Sequence, residues 1–249
     1  MDITQIQLNS LKLFEAVKAI APSTEVYRYE QITTEFILAI GKLQNCLPVP
    51  FKRYLEIGCG DAFNLILWSQ LAEEVHGADL PGSIALARNL TQGMGYQNRI
   101  SLHESGAETL SLDGTFDVVN TQYVLEHVND IELSLQNMRG LVKDDGIVIH
   151  TVPSSVSRSN WYIEYRDWTP IKRLAYSLWR GGIWKTLRNP FGFTPAHEPR
   201  VGDYRKELSE YRIDRWAMHI MRAGFAVIDY FQTEDINWVI VSRMIASSN

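Results

Sequence analysis

The densest chemistry in the sequence lies in Glu56-Ile57-Gly58-Cys59-Gly60-Asp61, where two carboxylates bracket two glycines at the end of the apolar run Arg53-Tyr54-Leu55-Glu56-Ile57. Gly58 and Gly60 allow a tight turn and let a ligand approach the backbone closely. A dinucleotide fingerprint wants a third glycine three positions after the second, where this chain has Phe63. Its diphosphate would also be repelled by Glu56 and Asp61, whereas a cationic ligand would be attracted. Asp79 ends His76-Gly77-Ala78-Asp79, 21 residues after Gly58. An acid at the tip of the second strand can accept both hydroxyls of a ribose. Alone, Asp79 reads more often as a solvated loop acid; its spacing from Glu56-x-Gly58-x-Gly60 reverses this in favour of the ribose role.

The elements that must position these residues follow from periodicity. Short Val- and Ile-rich runs alternate with segments of helical spacing: strands at 53–57, 75–78, 100–103, 117–120 and 146–152, and helices at 63–73, 83–93 and 130–142. This alternation predicts a parallel sheet covered on both faces, an α/β doubly wound architecture. A helix over 213–223, stopped by Gly224, precedes strands at 225–231 and 238–243, whose six-residue separation is too short for a crossover helix and predicts an antiparallel hairpin. Residues 3–20 and 33–47 read as two helices ahead of the first strand. Ligands of such sheets bind beyond the carboxyl ends of the strands, where the winding reverses.

The 249 residues, 45% hydrophobic and 21% charged, exclude a disordered or collagenous chain and predict one large domain. Cys46 and Cys59 are too few for a disulfide framework. The N-terminus, with Lys12, Glu15 and Lys18, has no sustained apolar core, so no signal peptide or spanning segment is expected and the default location is cytoplasmic. Net charge is −5 but unevenly spread: residues 1–153 carry 10 Lys/Arg against 19 Asp/Glu, residues 154–206 carry 10 against 4, and residues 207–249 carry 4 against 6. The basic segment also holds four of the seven tryptophans, Trp161, Trp168, Trp179 and Trp184. It reads as an insertion into a regular scaffold, dividing the chain into N-terminal helices (1–50), a core (51–153), the insertion (154–206) and a C-terminal helix and hairpin (207–249).

Leu55-Glu56-Ile57-Gly58-Cys59-Gly60, Ala78-Asp79, Phe116-Asp117-Val118-Val119, Val124-Leu125-Glu126-His127-Val128 with Asp130, and Leu141-Val142-Lys143-Asp144-Asp145-Gly146, in this order, resemble class I S-adenosylmethionine-dependent methyltransferases, and among them the small-molecule enzymes of the quinone-biosynthesis type. The resemblance is strong over 53–153, loose over 207–249 and missing over 154–206. It implies a Rossmann-like seven-stranded sheet ending in an antiparallel hairpin, and S-adenosyl-L-methionine as cofactor: a sulfonium and an ammonium with no phosphate. It also implies that Glu56, Gly58, Cys59 and Gly60 hold the methionine part, Asp79 the ribose and Leu80 the adenine face. Gly106 and Ala107 would flank adenine, with Gly106 standing where the family usually has an acid. Asn120, Thr121 and Gln122 would lie near the sulfonium, and Ala62 replaces the third glycine of the loop. Arg28, in Tyr27-Arg28-Tyr29, would close over the methionine carboxylate, the alternative being a surface turn ahead of a helix.

Methyl transfer of this kind aligns an acceptor and deprotonates it where it is a hydroxyl. His127, titrating near neutral pH after the fourth strand, is the leading base, and its alternative role is to cap or pack the next helix. His197, in Pro195-Ala196-His197-Glu198-Pro199, is a second candidate; His150 and His219 fall inside a strand and a helix and read as structural. No metal is expected. With a histidine base, transfer to oxygen is favoured over nitrogen or carbon. The rival classes are a non-catalytic cofactor-fold protein and a nucleotide-dependent oxidoreductase. The insertion reads as an aromatic cap, as a pocket for an anionic or polycyclic acceptor, or as an amphipathic helix over 171–187 meeting a membrane with a lipid-linked acceptor. Gly181-Gly182 interrupts that helix, and the overall negative charge argues against nucleic acid.

Overall fold

The computed structural model describes residues 2–21, 26–44, 50–154, 212–233 and 237–245. Seven strands, β1 (Phe51–Ile57), β2 (Ala72–Asp79), β3 (Ile100–Glu104), β4 (Phe116–Gln122), β5 (Val142–Val152), β6 (Phe225–Gln232) and β7 (Trp238–Met244), pair into one sheet of order β3-β2-β1-β4-β5-β7-β6. The first five run parallel, and β7 lies antiparallel between β5 and β6, which gives the hairpin the spacing predicts. The chain winds outward from β1 through β3 and then returns to β4. The crevice between the carboxyl ends of β1 and β4 is therefore the reversal point at which ligands of such sheets bind.

Strand side chains alternate between two cores. Tyr54 and Val118 pack with α1 (Ile3–Ile20), α2 (Val26–Leu43), α3 (Phe63–Trp68) and α4 (Pro81–Gly93) on one face. Leu55 and Val119 pack with α5 (Ile131–Leu141) and α6 (Ile213–Arg222) on the other. Helix ends follow local chemistry: the Asp130 carboxylate caps α5 by accepting from the Leu133 amide at 3.0 Å, and Gly224, at φ +88°, stops the chain after α6.

The two largest departures from the periodicity each come from a long-range contact. Helix α3 ends at Trp68 rather than Glu73, since β2 starts at Ala72 to pair with Phe51 and sets Glu74 opposite Arg53, their side chains 3.0 Å apart. Helix α2 starts at Val26 rather than Thr33, and Tyr27-Arg28-Tyr29 is its first turn rather than a surface turn ahead of it. Buried Tyr29 packs edge-on to Phe63, ring centroids 4.9 Å apart, and this contact anchors the added turn. The insertion beyond Ser154, with its tryptophans and His197, lies outside the described residues, as does Cys46.

Candidate active site

After β1 the chain turns at Gly58 (φ +75°) and Gly60 (φ +56°). The amides of Gly58 and Cys59 donate to the Ala78 carbonyl at 2.7 and 3.1 Å, tying the turn to the end of β2. A Cβ on Gly58 would stand 2.1 Å from Val124 Cγ2, so the loop after β4 closes onto this turn; Gly60 has open space where a Cβ would go. Ala62 also takes a left-handed conformation, φ +71°, as the N-cap of α3. Cys59 is buried, with its sulfur packed against Gly77. Asp79 is fixed at the tip of β2: Oδ2 accepts from the Gly60 amide at 2.8 Å and Oδ1 from the Leu80 amide at 2.6 Å. Beside it, a Cβ on Gly106 would lie 3.6 Å from both Leu80 Cδ2 and Glu108 Oε2, so Leu80, Gly106 and the Glu108 carboxylate converge. Ala107 is buried in the core beneath them.

Glu56 is buried at the end of β1, directly in register with Asn120 on β4. Asn64 Nδ2 donates to Glu56 Oε1 at 2.8 Å, and Asn120 Nδ2 donates to the Tyr54 hydroxyl at 2.9 Å. Glu56 Oε2 and Asn120 Oδ1 are buried and receive no hydrogen bond among the described residues. Burial pushes the Glu56 carboxyl up to about 8; the Asn64 hydrogen bond opposes this, and the charges of Asp61 and Asp79 add to it. Two orphaned acceptor oxygens on neighbouring strands form a cradle for a donor-bearing cation.

Helix α2 borders this cradle. Arg28 forms an ion pair with Asp61, and the Tyr29 hydroxyl donates to Asp61 Oδ2 at 2.7 Å. Two turns on, buried Glu35 accepts from Gln122 Nε2 and from the Tyr123 hydroxyl, both at 2.5 Å, and from Gln31 Nε2 at 3.1 Å. Tyr123 has φ +56°, and its hydroxyl also accepts from Asn237 Nδ2 at 2.9 Å. Gln122 is thus committed to α2, and Thr121 faces the opposite core, its hydroxyl 2.7 Å from His150 Nδ1. Sequence reasoning missed Glu35, Tyr123 and Gln31. The i, i+4 spacing of Gln31 and Glu35 on an amphipathic helix was the available signal, and their partner lies 92 and 88 residues away.

Residues 55–150, which contain this constellation, match the family model described as Methyltransferase domain. Over that segment the chain is similar to a methyltransferase domain. Over 140 residues the chain is 33% identical to a ubiquinone biosynthesis O-methyltransferase from Cereibacter sphaeroides, covering 55% of this chain and 54% of that protein. The chain thus spans about half the length of the curated relatives it matches. A magnesium protoporphyrin IX methyltransferase from Synechocystis, solved with bound SAH, superposes with a TM-score of 0.55 at 13% identity, covering 88% of each chain. An N-methyltransferase from Bradyrhizobium japonicum superposes with a TM-score of 0.51 at 14% identity over 88% of this chain and 96% of that one. These two share the fold.

Within the matched segment, His127 ends a one-turn 3-10 helix, Leu125–His127, directly after the loop that packs on Gly58. Its side chain is part-exposed, with Nε2 3.9 Å from Glu126 Oε1. His150 is fully buried on the α5–α6 side, where burial lowers its pKa to about 3 and keeps it neutral. No helix among the described residues is long and apolar enough to cross a membrane.

Proposed function

We propose that the chain is an S-adenosylmethionine-dependent methyltransferase that acts on a hydroxyl oxygen of a small-molecule acceptor. The observation that carries this reading is the pair of orphaned oxygens, Glu56 Oε2 and Asn120 Oδ1, at the reversal point of the sheet. An ammonium group satisfies both acceptors, and a diphosphate satisfies neither. When bound, S-adenosylmethionine supplies a methyl group on a sulfonium, which is already an activated leaving group.

The chain's own residues do the rest. Glu56 and Asn120 hold the ammonium, and the backbone of Gly58, Cys59 and Gly60 lets the methionine portion approach closely. Arg28, beside Asp61, stands at the methionine carboxylate. Asp79, fixed by two amides, accepts the ribose hydroxyls with its remaining lone pairs. Leu80 covers one adenine face beside Gly106 and Ala107. Glu108, whose Oε2 lies next to Gly106, offers the adenine amine the carboxylate that position 106 lacks. Gln122, held by Glu35, closes the β4 side of the crevice. The His127 imidazole takes the proton from the acceptor hydroxyl as the oxygen attacks, and His197 is the second histidine proposed for the acceptor side.

The choice of oxygen rests on that imidazole and on the sequence likeness to O-methyltransferases. Calorimetric titration with S-adenosylmethionine, S-adenosylhomocysteine and NAD tests the donor: the first two bind and NAD does not, and binding of NAD alone overturns the reading. Asp79→Ala weakens donor binding roughly tenfold to a hundredfold, the range for hydrogen bonds to a charged group. His127→Ala leaves donor affinity in place and lowers turnover ~100-fold or more; normal turnover in that variant would remove the imidazole from the mechanism.

A further inference from the structure

Glu56 and Asn120 each leave one oxygen for the cradle, and in both cases a buried side chain decides which atom that is. Asn64 Nδ2 occupies Glu56 Oε1 at 2.8 Å, which leaves Oε2, and the Tyr54 hydroxyl occupies Asn120 Nδ2 at 2.9 Å, which leaves Oδ1. The two contacts differ in kind. A carboxylate is an acceptor at both ends, whereas an amide has a donor end and an acceptor end and can turn over.

Tyr54 is fully buried in β1, its ring stacked on Trp68 with centroids 5.0 Å apart and on Phe51 at 6.1 Å. A phenylalanine would pack there equally well, so the hydroxyl is the part that needs a reason. Burial, and after it the charge of Glu56, hold the phenol well above its ordinary range, so it keeps its proton. A buried hydroxyl costs free energy unless it is hydrogen-bonded, and its partner among the described residues is the Asn120 amide. Asn120 stands in register with Glu56 on the neighbouring strand. Without the hydroxyl, the orientation that presents Oδ1 would leave Nδ2 buried and unpaired, whereas the turned-over amide would give Nδ2 to the Glu56 carboxylate. Both cradle oxygens would then be lost to an incoming cation.

We propose that Tyr54 is a positioning residue of the donor site: its hydroxyl holds the Asn120 amide with Oδ1 toward the crevice and so sets the preference for a ligand that carries an ammonium group. This rests on the methyltransfer reading, in which Glu56 and Asn120 hold the ammonium of S-adenosylmethionine. Tyr54 touches no ligand itself. It acts through Asn120 as Asn64 acts through Glu56, and the two pairs present a carboxylate oxygen and an amide oxygen from adjacent strands to one cation.

The test compares two ligands on the full chain by calorimetry: S-adenosylhomocysteine and its desamino analogue, in which a hydrogen replaces the amine. The unmodified chain prefers S-adenosylhomocysteine roughly tenfold to a hundredfold, the range for hydrogen bonds to a charged group. Tyr54→Phe lowers that preference roughly threefold to tenfold and leaves the affinity for the desamino analogue in place, whereas a loss of packing would weaken both ligands alike. Tyr54→Phe/Asn120→Asp restores the preference, because a carboxylate accepts at either end and needs no aiming. Should Tyr54→Phe not fold, the unmodified chain still decides: with S-adenosylhomocysteine bound, nuclear Overhauser contacts connect the Asn120 side-chain amide protons to the Tyr54 ring. An unchanged preference in Tyr54→Phe, a double variant no better than the single one, or the lack of that contact overturns the role of Tyr54. Equal binding of the two ligands by the unmodified chain overturns it too. Failure of the unmodified chain to bind either ligand would instead overturn the methyltransfer reading.

Discussion

Gly58 and Gly60 look equivalent in the sequence, and the structure separates them. Both have positive φ, a conformation that costs an alanine roughly 1–2 kcal/mol. At Gly60 that is the whole cost, because its Cβ would meet open space; at Gly58 a Cβ would also collide with Val124. Denaturant titration should therefore find Gly58→Ala the more destabilising, and it should lose donor binding while Gly60→Ala retains folding. Glu56 makes a second prediction. With its carboxyl pushed up to about 8, Glu56 is mostly protonated at pH 7, and the proton must leave before it can pair with an ammonium. Donor affinity should rise with pH up to about 8 more steeply in the unmodified chain than in Glu56→Gln, and equal slopes in calorimetry would show that Glu56 does not face the ligand. Much at this scale was legible: the acid–glycine–glycine spacing and Asp79 mark the crevice. What escaped was the orientation of Gln122, because its partner Glu35 lies 87 residues away on a helix whose start was misplaced.

The strands were the readable elements, because Val and Ile runs on a doubly covered sheet leave little ambiguity of type. Helix α2 was half-read. Its second half carries the apolar spacing, but its first turn, Tyr27-Arg28-Tyr29, is stabilised by Asp61 and Phe63, contacts that no local pattern announces. That clasp belongs to the element and can be tested there. Asp61→Ala removes an acceptor that Arg28 and Tyr29 share. The pair with half-exposed Arg28 adds little in water, so the hydrogen bond from Tyr29 to a charged acceptor sets the scale, about 1.5–3 kcal/mol. Amide hydrogen exchange over residues 26–33 should accelerate roughly tenfold to a hundredfold while exchange in β1 and β4 stays unchanged; unaltered protection of α2 would mean that the clasp does not hold it.

Across the whole molecule, two buried groups pull stability in opposite directions with pH. Glu56, raised from 4.5 to about 8, holds a proton in the folded chain that the unfolded chain has lost, so its contribution falls as pH rises through that window. His150, lowered from 6.5 to about 3, stays neutral where the unfolded chain would be charged, so its contribution falls as pH drops through that window. Between about 4.5 and 6.5 these two offset each other. His76 and His103, also lowered by burial, add to the acid side and move the maximum toward the upper end. The melting temperature should peak near pH 6.5 and fall on both sides, and His150→Gln should flatten the acid limb; a chain most stable at pH 8 or above would contradict the burial of Glu56. A last consequence comes from α2, which grips the donor loop at Asp61 and the end of β4 through Glu35. With one helix joining the donor loop to the end of β4, the two substrates should load in a compulsory order, donor before acceptor, with the demethylated donor leaving last. Steady-state product inhibition would then be competitive against the donor and non-competitive against the acceptor.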